Sequence, residues 1–406
     1  MAAALNIEKP EQPQLAKHDS SILDLVFVMD CTGSMGNYIA SATQNIRSIV
    51  EQIVTSEKSD IHLALVEYRD HPPQDTTFIT RVHDFTTLVE YRDHPPQDTT
   101  FITRVHDFTS KVKEMRGWLE QCNAEGGGDV PEAVADALHD VLKLSWRPEA
   151  TKICILISDA PPHGLDPSNG DAFPNGDPTG VDPIKIAREM AEKQITLYVA
   201  GVEPAIVPYR DFFMSIAYIT GGQYVPMINA KLLAQVIIGG VCEEISLERL
   251  MQDAEEDINR EMKKAETEGA AESEITERVN RLLVTKNLRV KQMENLAGAT
   301  SSKAKETYSK CADMKELRSQ YVVESAPTIE PIYPTRRTRA EYRRAASRSS
   351  DAEEDAADTN TTAGGSLPRP PPETATPMNY DLRDDATVSM AQTERIVQRM
   401  RSKRTT

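Results

Sequence analysis

The chain has 406 residues, enough for one or two domains with tails. Its 39% hydrophobic content and 25 prolines predict a packed core over only part of the length. A net charge of −17 argues against nucleic acid or an anionic membrane as the main partner. Cys31, Cys122, Cys154, Cys242 and Cys311 are widely spaced and lack a CxxC pair, which fits a reducing compartment rather than a disulfide framework. No basic leader precedes an apolar run and no apolar stretch reaches membrane-spanning length, so the expected localisation is cytoplasmic.

In chain order, residues 1–20 read as a polar, flexible lead-in. Strand and helix patterns then alternate from 21 to 246. Apolar runs at 23–29, 61–68, 152–158 and 195–202 read as strands, the third continuous enough to be buried on both faces. Residues 37–54 place Ile39, Ala42, Ile46, Ile49 and Ile53 on one helical face. Further helices are expected in SKVKEMRGWLEQC, PEAVADALHDVLKL, DPIKIAREMAEKQ, YRDFFMSIAYIT and AKLLAQVIIGGVCEEI. The alternation predicts an α/β fold, a doubly wound and mostly parallel sheet with an antiparallel edge strand. Residues 247–325 read as a charged, coiled-coil-like helical extension with thin apolar stripes, suited to self-association. From 326 to 406 the composition is that of a disordered tail. Its basic segment 336–348 admits nuclear import, and AQTERIVQRMRSKRTT reads as a short basic helix formed on contact.

One stretch stands out. LVEYRDHPPQDTTFITRVHDFT runs from 65 to 86 and recurs letter for letter from 88 to 109. Each 23-residue unit reads as strand, turn and returning strand, so inserting a whole unit brings the chain back to the same side of the sheet. The second LVEY lacks the IHLA lead and is expected to pair poorly or loop out. Such identity points to a recent duplication or a gene-model artefact, and deleting 65–87 is expected to leave the domain at least as stable.

The first strand ends in Asp30-Cys31-Thr32-Gly33-Ser34, a D-x-T-x-S pattern at a strand-to-helix turn. In doubly wound sheets ligands bind beyond the C-terminal strand ends. A carboxylate and two hydroxyls converging there are hard oxygen donors, suited to Mg²⁺ first and to Mn²⁺ or Ca²⁺ as alternatives. Asp129 in GGGDVPE and Asp159 in ILISDAPPHG are expected at the same rim. Each also has a bland reading: Ser34 or Asp129 as helix caps, Asp129 with Glu132 as a capping box, and Asp159 as turn chemistry. His71, His83, His94, His106 and His163 read as surface or loop residues, with lining of the site as the alternative reading for His163, which closely follows Asp159. The Asp- and Gly-rich stretch 164–183 reads as a long ordered rim loop that could meet a partner.

Taken together, 23–245 resembles a von Willebrand factor type A domain. The family's metal-ion-dependent adhesion site uses D-x-S-x-S, a later Thr and a later Asp. The resemblance assigns Asp30, Thr32 and Ser34 to the first of those elements and Asp159 to the last, with Thr32 in place of the first Ser and Asp129 where Thr is frequent. FVMDCTGSM, YRDHPPQDTTFITRVHDFT, SDAPPHG and FPNGDPTGVDP are similar to type A domains found beside atypical α-kinase domains; a kinase domain is not evident after 246. The resemblance implies a non-catalytic binding module whose cation meets a partner protein's acidic residue. A kinase-linked recruiter and a metal-dependent phosphatase-like hydrolase are the alternatives. For the last, Thr32 stands where the second Asp of D-x-D would act as the acid. The G-x-G-x-x-G and P-loop motifs are not found.

Overall fold

The computed structural model describes residues 19–71, 80–82, 106–124, 129–293, 300–323 and 382–405. Seven strands make the main sheet: β1 (Asp19–Asp30), β2 (Asp60–Tyr68), β3 (Thr80–Val82), β4 (His106–Thr109), β5 (Ala150–Ser158), β6 (Ile195–Val202) and β7 (Gln223–Met227). Their order is β3-β2-β1-β5-β6-β7, with β4 also on β2. The pairs β1–β2, β1–β5, β5–β6 and β6–β7 are parallel, and β3 and β4 are antiparallel to β2. Burial on both faces explains why the central strands are nearly all apolar: every residue from Leu25 to Met29 and from Ile153 to Ile157 is buried.

Helices follow the same logic. Val26 and Val28 pack into one core with α3 (Val134–Val141), α4 (Pro183–Glu192) and α5 (Arg210–Ile219). The alternate residues Leu25, Phe27 and Met29 point to the opposite face, where α1 (Gly36–Glu57) and α6 (Leu233–Thr267) lie together, and α2 (Val112–Gln121) adjoins α1. Helix α1 buries Ile39, Ala42, Ile46, Ile49 and Ile53, the face expected from the sequence. The fold is a doubly wound, mostly parallel sheet with an antiparallel edge and a helical extension.

The duplicated stretch resolves unexpectedly at that edge. In the ladder on β2, Val66 pairs with Val82 and Leu65 with His106. The residue that follows Val82 in the first copy is His83, and His106 is its equivalent 23 positions on. One edge line is therefore built from TRV of the first copy and HDFT of the second, and 83–105 equals one repeat unit. The second LVEY, at 88–91, lies outside the described residues, as do His83 and His94.

Two expectations for the C-terminal part are corrected. Helix α6 runs unbroken for 35 residues, through position 246. Its distal half does not stand alone as a coiled-coil-like rod. Leu250, Met251, Ile258 and Met262 form a second core with α7 (Glu272–Thr285), β8 (Arg289–Met293) and α10 (Met390–Thr405). The stripes read as a self-association surface are covered within the chain. The tail is not disordered over 382–405: β9 (Leu382–Thr387) pairs with β8, and Ile396, Val397 and Met400 of α10 enter the second core. The basic helix expected to form on contact forms against its own chain. The rest of 326–406, including 336–348, lies outside the described residues. Helices α8 (Ser302–Glu306) and α9 (Met314–Gln320), with the 3-10 turn Tyr308–Lys310 between them, place Ala304, Tyr308, Met314 and Leu317 on the main core.

Candidate metal-binding rim

Strand β1 ends at Asp30, which is fully buried. The turn after it folds back, so one oxygen of Asp30, Oδ1, accepts the Thr32 amide at 2.9 Å and its hydroxyl at 2.7 Å. The hydroxyl of Ser34 stands 3.4 Å from that of Thr32. The three residues of the D-x-T-x-S pattern thus share one cluster, and no side-chain cap bond involves Ser34. The other oxygen, Asp30 Oδ2, is buried and makes no hydrogen bond of full geometry, although the Tyr68 hydroxyl acts weakly on the carboxyl as a donor. Burial first, and then the charge of Asp159, push the Asp30 carboxyl up to about 7. The strongest influences on Asp30 include no cation.

Asp159 follows the last residue of β5 and also influences Tyr38 at the start of α1. Asp129 is positioned differently from the other expected donors. Its Oδ2 accepts the Ala172 amide at 2.8 Å, and burial followed by a hydrogen bond with Asp70 lifts it to about 6. The capping box expected of Asp129 and Glu132 does not form: α3 begins at Val134 with no side-chain cap. Glu132 is instead drawn inward by its backbone, whose amide donates to the Pro161 carbonyl at 2.9 Å. Its buried carboxyl is pushed up to about 11 by desolvation and then by Asp30, Asp70, Asp159 and Asp129. Glu132 and Asp70 are the rim residues that sequence reading missed. The PE of GGGDVPE was visible, but read as helix chemistry.

Outside this set lies a histidine layer. His71 and His163 are buried, not surface residues, with rings 5.3 Å apart and Phe173 against both. His163 bridges Asp70 at 2.7 Å and Asp171 at 2.9 Å. His71 lies 2.9 Å from Asp136 and 3.1 Å from Asp177. Burial pulls both imidazoles down, but their carboxylate partners overcome it and hold each at about 9. In return Asp177, despite its burial, is held near 2 by His71, while burial leaves Asp136 at about 6. These pairs tie the 164–183 loop to the rim. Asp171 also accepts the Gly164 amide at 2.6 Å. Gly164 sits at φ +76°, where an added Cβ would lie 2.5 Å from the Gly176 backbone, so only glycine closes the loop here.

The family model for the von Willebrand factor type A domain matches residues 24–224. The chain carries a von Willebrand factor type A domain. Such domains are generally protein-interaction modules, often with a metal-ion-dependent adhesion site, and are typically non-catalytic. Alpha-protein kinase vwkA of Dictyostelium discoideum is 28% identical over 181 residues, 44% of this chain and 25% of its own length. A putative ariadne-like RING finger protein of Acanthamoeba polyphaga mimivirus is 26% identical over 232 residues, 54% of this chain and 20% of its own. The chain thus spans a quarter or less of these curated relatives. Among solved structures, a von Willebrand factor type A protein from Catenulispora acidiphila covers 55% of this chain and 43% of its own, at 15% identity and a TM-score of 0.35. Among the described residues no helix is long and apolar enough to cross a membrane.

Proposed function

We propose that this domain binds a divalent cation, Mg²⁺, at the rim and presents it to a carboxylate on a partner protein. Asp30, Thr32, Ser34 and Asp159 would hold the ion. Asp129 supplies the loop's share of negative charge, while Glu132, held at about 11, faces the site as a neutral carboxyl. The observation that carries this reading is Asp30 Oδ2, a buried carboxylate oxygen with no hydrogen bond of full geometry and no cation among its main influences, close to two hydroxyls and a second carboxylate. A buried charge without a counter-charge is costly, and a hard dication meets that need with the donors present. When bound, the ion supplies an electrophilic centre for an acidic side chain. The chain's own residues orient the donors: β1 and β5 fix the two aspartates, and the histidine-pinned loop shapes the surface around them. We place the protein in the cytoplasm on its cysteine usage, as an interaction module rather than an enzyme.

Calorimetry with Mg²⁺ tests the site: Asp30→Ala and Asp159→Ala should each abolish the binding heat, and unchanged affinity in both would refute it. Partner capture insensitive to EDTA would refute the cation's role in recognition. A second reading, a recruiter working beside a kinase, is favoured by the similarity to vwkA. Co-purification of a kinase activity that is lost with Asp30→Ala would support it, and a kinase-free complex would not.

A further inference from the structure

A second donor cluster lies behind the rim, on the α1–α2 side of the sheet. We propose that Cys31, Glu67 and Cys122, joined by His106, form a buried zinc site. The donors arrive from four elements. Cys31 sits between Asp30 and Thr32, Glu67 lies in β2 opposite Met29, Cys122 ends α2, and His106 opens β4. One ligand atom from each of Cys31, Glu67 and Cys122 lies within 4.8 Å of the other two. All three are buried, as is His106, whose Nε2 stands 3.8 Å from Glu67 Oε1 while its ring stacks on Trp118.

The chemistry selects the ion. Two thiolates, an imidazole and a carboxylate are a tetrahedral zinc donor set, whereas Mg²⁺ and Ca²⁺ take oxygen donors. Ligand bonds of about 2.0–2.3 Å put tetrahedral donors roughly 3.5 Å apart, so Cys31, Glu67 and Cys122 need to contract by only about an ångström, with His106 reaching the ion from beside Glu67. Each thiol now points to a backbone carbonyl at 3.5 Å, Cys31 to Met29 and Cys122 to Trp118, contacts that zinc–thiolate bonds would replace. Arg69 bears on Cys31 and would offset the third negative ligand beyond the ion's two charges. The two ions would sort by donor softness, one at the rim and one behind it. Because Cys31 lies inside the D-x-T-x-S turn, zinc would anchor that turn to α2 without touching the rim ion.

The full-length protein, purified without chelator, should retain about one zinc per chain after desalting. Replacement by Co²⁺ should give an intense thiolate-to-cobalt charge-transfer band, which an all-oxygen rim site cannot produce. Cys31→Ser and Cys122→Ser should each weaken or abolish the band, and Cys154→Ser, at a buried cysteine outside the cluster, should leave it intact. Folding of each variant is followed by circular dichroism, and the wild-type cobalt spectrum decides the case even if a variant misfolds. Folded wild-type protein with neither stoichiometric zinc nor the band would overturn the proposal. So would a mass deficit of two hydrogens reversed by reductant, which would make the pair a disulfide.

Discussion

The sheet buries carboxylates at both of its ends, and the two ends satisfy them differently. At the N-terminal strand ends, Glu243 and Glu244 of α6 meet Arg395 and Arg399 of α10. Arg395 reaches Glu243 at 3.1 Å and Glu244 and the Tyr198 hydroxyl at 2.6 Å each, and both arginines donate to the Gly221 carbonyl. Burial works against the Glu244 charge, but Arg399 and Arg395 hold its carboxyl below the usual range. At the rim, burial raises Asp30 and Glu132, and the groups that act most on them are other acids. One end carries its counter-charge in the chain. At the other, the proposed cation would supply it from outside, which is what would separate a structural ion cluster from a binding site.

The sharpest way to break the comparison is to remove the built-in counter-charge. Arg395→Ala should cost about 3–5 kcal/mol, because it leaves buried Glu243 without its cation and Glu244 with Arg399 alone. Urea unfolding measures this; a loss below about 1 kcal/mol would place the cluster among weak surface pairs. Next is the histidine layer. His71→Gln should lose about 1.5–3 kcal/mol at neutral pH, the worth of a charge-assisted hydrogen bond. The folded pKa of His71, about 9, lies above the unfolded value of 6.5. Its stabilisation is therefore full below pH 6.5 and lost as pH rises through 9. Stability against pH should show an alkaline decline that shrinks in His71→Gln, and identical profiles would contradict the pairing.

Two smaller effects sharpen the picture. Deleting 83–105 gives the same protein as deleting 65–87, because the copies are identical. It should change stability by about 1 kcal/mol or less, in the stabilising direction, since a shorter connection has a lower closure entropy. A collapsed thermal transition would show that the second copy is structural. Glu132→Gln should shift cation-free stability by about 0.5 kcal/mol or less, because a carboxyl held at about 11 is already neutral at pH 7. A larger loss would mean that Glu132 is ionised and paired.

The fold was legible where burial dictates residue type. The apolar runs of β5 and β6 and the one-sided face of α1 have little alternative. The D-x-T-x-S turn was legible because its spacing brings three donors together. Glu132, Asp70 and His71 were not, since their roles depend on groups far away in sequence: His163 reaches Asp70 across 93 positions. The second core was missed for a related reason. The stripes of α6 and α7 look thin until α10, more than a hundred residues later, supplies their third wall.

The most direct test compares wild type with Asp30→Asn in urea unfolding at about pH 8, with and without Mg²⁺. Without the ion the variant should be the more stable, since it removes a buried, uncompensated charge. With Mg²⁺ at about a hundred times its Kd, wild type should gain about 2.7 kcal/mol and overtake it, while the variant stays unchanged. An order of stability that does not reverse would contradict a rim built to receive a cation.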